Sequence, residues 1–253
     1  MTTSTPLEQI FNLTRTLGQP QNEYVIIGEG NTSYRIDQDT FLIKASGQGM
    51  SAIDVNGFVA VRFDPILALF DRQEADRATL QQAMIDAKVD ASAPGRPSVE
   101  VTFHAMLLHG CDVKCIAHTH PVAVNGILCS TRARQFADNR LFPDEAVLCG
   151  PRSVFVPYVD PGLPLAVAIR DEVRRYMDEM GEAPKVILLQ NHGLIALGQT
   201  PTEALNITAM AVKAAKIFTG ACAVGEPVFM SPEDIKHIYF RPDEIYRRKM
   251  FVG

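Results

Sequence analysis

Lys185-Val186-Ile187-Leu188-Leu189-Gln190-Asn191-His192-Gly193-Leu194-Ile195-Ala196-Leu197 places two short apolar runs on either side of a polar turn. The first run is too short for a helix and does not alternate, so it reads as a strand buried on both faces. Leu194 to Leu197 then turns back as its partner. A histidine beside a glycine at the end of a buried strand sits where sites, rather than cores, are built. Outward from this hairpin the chain keeps alternating between strand and helix patterns. On its C-terminal side, Thr200-Pro201-Thr202-Glu203 caps a long Ala-rich helix reaching about residue 220. Two shorter helical segments follow, one begun by Ser231-Pro232-Glu233-Asp234. On its N-terminal side lie an amphipathic helix (163–180), a strand (153–159), a loop excursion (131–144) and a helix (122–130).

Further towards the N-terminus, residues 114–120 read as a strand halted by Pro121. Pro94-Gly95-Arg96-Pro97 is a breaker, and a helix follows from 98 to about 109. Residues 66–89 are helical in pattern but polar in the middle (71–77), either an exposed helix or an excursion from the fold. Strands are expected at 24–27, 34–36, 40–44 and 57–63. A first helix starts at the capping box Thr5-Pro6-Leu7-Glu8. Such mixing, without repeats or low-complexity linkers, predicts one α/β domain over residues 1–253 with a helical tail from about 225. A sheet enclosed by helix layers is the packing that follows.

The bulk numbers exclude several classes. A chain of 253 residues, 47% hydrophobic and 21% charged with mean hydropathy +0.03, can bury its own core. Its net charge of -5 leaves no basic face for nucleic acid. No run approaches the roughly 18 consecutive apolar residues of a membrane span, and the first residues lack the pattern of a secretory signal. The five cysteines are odd in number and scattered. Together these features predict a cytoplasmic protein with structural thiols.

The chemistry-bearing residues start with His118-Thr119-His120. On a strand, positions i and i+2 share a face, so the two imidazoles project together. Two satisfied histidines at a sheet end, or a bidentate claw for zinc, cobalt or manganese, both fit that pattern. His192 tips the choice, since three histidines leave an open coordination position, as a catalytic metal requires. Glu100 is either a first-turn glutamate favoured by the helix dipole or the acid/base of the site. His104, four residues on, shares its face and reads as core. Gly28-x-Gly30-Asn31-Thr32-Ser33 and Ala45-Ser46-Gly47 are polar loops able to offer N–H and hydroxyl groups to an anion, and equally are ordinary turns.

Five short motifs appear in one order: Gly30-Asn31-Thr32-Ser33, Ser46-Gly47, Pro97-Ser98-Val99-Glu100, His118-Thr119-His120-Pro121 and Asn191-His192-Gly193-Leu194-Ile195. In this the chain resembles the class II aldolase/adducin family over about residues 5–220, and within it the fuculose- and rhamnulose-phosphate-type aldolases. The resemblance implies a three-layer α/β/α fold around a central, largely antiparallel sheet. It implies a homotetramer with active sites between subunits. It also implies a divalent metal, Zn2+ before Mn2+ or Co2+, on His118, His120 and His192. Glu100 would be the proton shuttle, and Asn31, Ser46, Gly47 and Ser98 would line the pocket for an anionic small-molecule substrate. The implied reaction is retro-aldol cleavage of a ketose 1-phosphate through a metal-stabilised enediolate. Decarboxylation of a hydroxy-aromatic or sugar acid, and epimerisation or dehydration of a sugar phosphate, use the same logic. A non-catalytic, adducin-like module would need no metal. Val99 departs from the serine often found there, which weakens the phosphate pocket. Tyr158, Tyr239 and Tyr246 are candidates for the family's catalytic tyrosine.

Overall fold

The computed structural model of the protein describes residues 4–72 and 76–251. Positions 73–75, inside the polar stretch expected as helix or excursion, lie outside the described residues. Seven strands form one mixed sheet, and the fold is of the α/β class expected. The strands follow the order β3-β2-β1-β4-β7-β6-β5, numbered along the chain. Contacts divide the chain into two compact units, residues 1–116 with 159–171 and residues 117–158 with 172–253. The division runs inside β4 (Cys115–Thr119) and inside α8 (Leu163–Met180).

In the first unit, α1 (Pro6–Leu17) begins at Thr5, whose side chain accepts from the Glu8 N–H while Glu8 caps the Thr5 N–H in return. It buries Ile10, Leu13, Thr14 and Leu17 against β1 (Asn31–Arg35) and β2 (Thr40–Lys44). β1 and β2 run antiparallel with Ser33 opposite Ile43, and β3 (Phe58–Arg62) runs antiparallel to β2 with Ala60 opposite Leu42. The turn into β2 is set by Asp37, whose Oδ1 accepts from the N–H groups of Asp39 and Thr40 at 2.9 and 2.8 Å. α2 (Phe63–Leu67) and α3 (Arg77–Ala87) replace the single helical pattern read over 66–89, and α4 (Val101–Gly110) follows the Pro97 break.

The expected strand at 24–27 does not form. The Glu29 carboxylate takes the N–H groups of both Ile26 and Ile27, the latter at 2.9 Å, and bends the backbone away from any ladder. β1 begins instead at Asn31, inside the stretch read as a turn.

In the second unit, α5 (Val122–Leu128), β6 (Val186–Leu189) and β7 (Gly193–Gly198) form as expected. The antiparallel β6–β7 register places Leu189 opposite Gly193. β5 (Val154–Val156) runs parallel to β6. The segment expected as a loop at 131–144 is instead α6 (Ala133–Asp138) and the start of α7 (Pro143–Cys149). Ala133, Phe136 and Ala137 supply the buried helical face that its charged residues obscure in the sequence.

α9 (Pro201–Val224) packs on β7, α5 and α7. It is long and apolar enough to cross a membrane by length and composition alone, and 39% of its most apolar window is buried inside the fold. α10 (Pro232–Phe240) starts at Ser231 as expected and packs on α7, and α11 (Pro242–Phe251) closes on α7 and α9.

Candidate metal centre and acid/base cluster

In the second unit the end of strand β4 delivers His118, the residue just past that strand is His120, and the β6–β7 turn delivers His192. That turn is tight because Asn191 adopts a left-handed conformation (φ 54°). The His192 N–H bonds back to Leu189 O at 3.1 Å, and Asn125 on α5 donates to His192 O at 3.0 Å. The three rings meet in pairs at centroid distances of 4.8, 5.0 and 4.9 Å. One ring nitrogen from each lies within 4.8 Å of the others. Among the described residues this is the one group of three side chains so arranged for a metal.

The hydrogen bonds set the protonation. His118 is fully buried and its Nδ1 stands 3.0 Å from Leu194 O. A carbonyl only accepts, so Nδ1 carries a proton, and in the neutral ring Nε2 is then the atom with a free lone pair. His120 Nε2 stands 3.0 Å from His118 Nε2. Nitrogens on a tetrahedral zinc, each 2.0–2.1 Å from the ion, are about 3.3 Å apart, so the pair is spaced for one cation. Gly193 makes the approach possible. A Cβ there would fall 2.6 Å from Thr119 O, 2.7 Å from His120 Cδ2 and 3.3 Å from His118 Cε1.

The first unit holds a buried cluster around Glu100, which is 9% exposed. Glu100 precedes the first turn of α4, and its N–H points to Ser98 Oγ at 3.3 Å. Glu100 itself, and not Ser98, occupies the cap position of this helix, and no side chain caps it. Asn31 Nδ2 donates to Glu100 Oε2 at 2.6 Å and lies 3.3 Å from Ser98 Oγ. His104, expected as core packing, is fully buried and bonds Asn31 Oδ1 through Nε2 and Ser33 Oγ through Nδ1, the latter at 2.6 Å.

Ser46 and Gly47 are exposed and adjoin the 96–98 loop, since Ser46 N donates to Arg96 O at 2.9 Å and Ala45 bridges Pro97. Gly47 has φ 79°, a conformation glycine adopts readily. Val99 is 50% exposed beside them.

Lys44 was missed by sequence reasoning. It ends β2 almost wholly buried, with Nζ on Gln48 O. Burial lowers its pKa, while the charges of Glu100 and Glu29 act in the opposite direction. Its signal was a lysine closing an otherwise apolar strand directly before a polar Gly-bearing loop. Of the tyrosines, Tyr239 is buried beneath Arg248, whose guanidinium carbon lies 4.0 Å from the ring centre. Burial and Glu182 push its hydroxyl well above the usual phenol range. Tyr246 and Tyr158 are exposed, and Tyr158 lies just past β5.

Residues 8–219 match the model of the class II aldolase and adducin N-terminal domain, so the chain belongs to that family. Two curated relatives and one solved structure show its spread. The uncharacterized oxidoreductase YuxG of Bacillus subtilis is 28% identical over 181 residues, 68% of this chain but only 24% of that protein. The chain therefore spans about a quarter of that relative's length. The 3-oxo-tetronate 4-phosphate decarboxylase of Haemophilus influenzae is 21% identical over 77% of this chain and 79% of its own length. An L-fuculose 1-phosphate aldolase structure superposes with a TM-score of 0.71 at 20% identity, over 94% of this chain and 96% of that one, which shows the fold.

Proposed function

We propose that the protein is a divalent-metal-dependent lyase that cleaves a ketose 1-phosphate, or a related hydroxy-carbonyl compound, in a reversible retro-aldol reaction. The observation that carries this reading is the convergence of three ring nitrogens within 4.8 Å, with the His118 proton directed to Leu194 O. His118, His120 and His192 would hold the ion, and three neutral imidazoles suit Zn2+ first, with Mn2+ or Co2+ as alternatives. When bound, the ion supplies a Lewis acid for the substrate's carbonyl oxygen. Glu100 moves the proton to or from the carbon that gains charge when the C–C bond breaks. Ser46, Gly47 and Ser98 receive the anionic group, and Asn31 borders them.

A second reading has its own support. Val99 puts a methyl-bearing side chain where a hydroxyl would serve a phosphate, and the Haemophilus influenzae relative is named a decarboxylase. Loss of CO2 from a hydroxy or oxo acid leaves charge on carbon in the same way and needs the same proton carrier.

The family match crosses both units, which supports one domain with a helical tail from about 225. Exposed Phe240, Tyr246 and Met250 on that tail support subunit contacts, consistent with a homotetramer whose active sites lie between subunits. Five free cysteines support a reducing cytoplasm.

The test is reconstitution with Zn2+, Mn2+ and Co2+ in turn, followed by L-fuculose 1-phosphate and 3-oxo-tetronate 4-phosphate as probes. We expect close to one equivalent of bound metal, and metal-dependent release of aldehyde from the first probe. Release of CO2 from the second probe alone would select the decarboxylase. Metal content unchanged by His118→Ala would overturn both readings.

A further inference from the structure

The Glu100 carboxylate is anchored by a chain of hydrogen bonds whose direction can be read from its end. A carboxylate accepts and cannot donate when ionised, so the Asn31 atom 2.6 Å from Oε2 is the amide nitrogen. The other Asn31 atom, Oδ1, is then an acceptor, and His104 must donate to it from Nε2. With that proton placed, neutral His104 has Nδ1 as an acceptor, and Ser33 Oγ, 2.6 Å away, donates to it. Each proton in the sequence Ser33, His104, Asn31, Glu100 therefore points towards the carboxylate. All four side chains are buried: Ser33 and His104 fully, Asn31 to 3% exposure and Glu100 to 9%. The ring of Phe103 stacks on His104 at 4.7 Å and holds its plane.

We propose that His104, backed by Ser33, is a positioning residue that fixes Glu100 through Asn31. The inference rests on the reading of Glu100 as the proton carrier. Asn31 has both side-chain polar atoms engaged in this chain, so its contribution is to orient the carboxylate before it contributes to any substrate contact. Donors aligned head to tail polarise one another, and their dipoles favour the ionised carboxylate. Lys44, ending β2, and Glu100 act on each other through their charges, which adds to the same preference. Because the imidazole gives its proton to Asn31 and takes one from Ser33, it holds a single tautomer.

The test needs no substrate. Side-chain 13C spectra of the full-length protein, with Glu100 assigned by loss of its signal in Glu100→Gln, give the titration of the carboxyl group. Imidazole 15N shifts give the His104 tautomer. We expect the Nε2–H form in the wild type. His104→Leu should raise the Glu100 midpoint, and Ser33→Ala, a smaller change that keeps the ring, should raise it less. His104→Gln, which can still donate to Asn31, should restore most of the wild-type midpoint. A role in packing alone would be met by Leu as well as by Gln.

With whichever probe is turned over, His104→Leu should lower kcat by about tenfold or more while KM stays close to wild type. An Nδ1–H tautomer, or a Glu100 midpoint unmoved in both His104→Leu and Ser33→Ala, would overturn the positioning role. Glu100→Gln with undiminished turnover would instead remove the proton-carrier reading, and would leave the hydrogen-bond chain standing.

Discussion

Position 193 has room for a hydrogen and nothing larger. An added methyl group would press on Thr119 O and His120 Cδ2 at 2.6 and 2.7 Å, and both atoms belong to the strand end that carries the paired histidines. Neither atom is the tip of a flexible side chain, so β7 or the His120 ring has to move. Gly193→Ala is therefore expected to cost about 1–3 kcal/mol of stability. Metal affinity should fall roughly 10- to 100-fold, as when an orienting partner is lost. Urea titration and metal competition measure the two effects, and native zinc affinity in the Gly193→Ala variant would contradict the close-approach argument.

This residue and the H-x-H pair were legible in the sequence because their meaning is local, a strand period of two and a glycine at a strand end. His104 was not. Its partners Ser33 and Asn31 lie 71 and 73 positions away, and a histidine on an apolar helix face gives no sign of them. Lys44 was illegible for a similar reason, since only folding places the Gln48 carbonyl over its ammonium group.

Elements were legible where caps and periodicity agreed, as in α1, α8, β7 and α9. They were misread where a side chain overrode the pattern. Tyr24 to Ile27 has the composition of a strand, but Glu29 captures its N–H groups. Residues 131–144 look like a charged loop, yet they fold around Arg140, which is 1% exposed. Its guanidinium donates to the carbonyls of Gly150, Asn139 and Cys149 at 2.7, 2.9 and 3.3 Å and to Ser153 Oγ at 3.0 Å. It also faces Glu145 at 3.8 Å.

Burial pushes the Glu145 carboxyl up, and Arg140 and the Leu141 N–H pull it down. Arg140→Met removes the compensating charge and should cost about 3–5 kcal/mol. The sign with pH follows from the raised carboxyl. A group whose folded pKa lies above its unfolded value contributes stability in acid, and that contribution is lost as pH rises through the folded value. Without Arg140 the folded value rises further, so the variant's deficit should be largest at neutral pH and should shrink as pH falls through the two raised folded values, above the ordinary glutamate range. Urea midpoints at pH 4 and pH 7 test this, and a pH-independent deficit would assign the loss to the carbonyl contacts instead.

At the scale of the whole molecule, all three histidines of the candidate metal centre belong to the second unit, while the Glu100 cluster belongs to the first. That partition makes metal binding a probe of cooperativity. His118 is tied to β7 by its bond to Leu194 O, and His192 begins that strand's turn, so β7 cannot leave β4 without releasing the ion. At free metal 100 times the dissociation constant, a ligand bound only by the folded form adds about 2.7 kcal/mol. Amide exchange reports where that stabilisation is felt, because each amide exchanges through its own cheapest opening. Zinc should slow exchange at residues 117–119 and across β6 and β7. The β2–β3 ladder and α1 should change only for amides that already exchange through global unfolding. Chelation should reverse the pattern without unfolding the protein, since neither unit draws its buried core from the metal. Equal slowing of β2, β3 and β7 would mean that the units open together. A β7 ladder indifferent to zinc would place the ion somewhere other than these three rings.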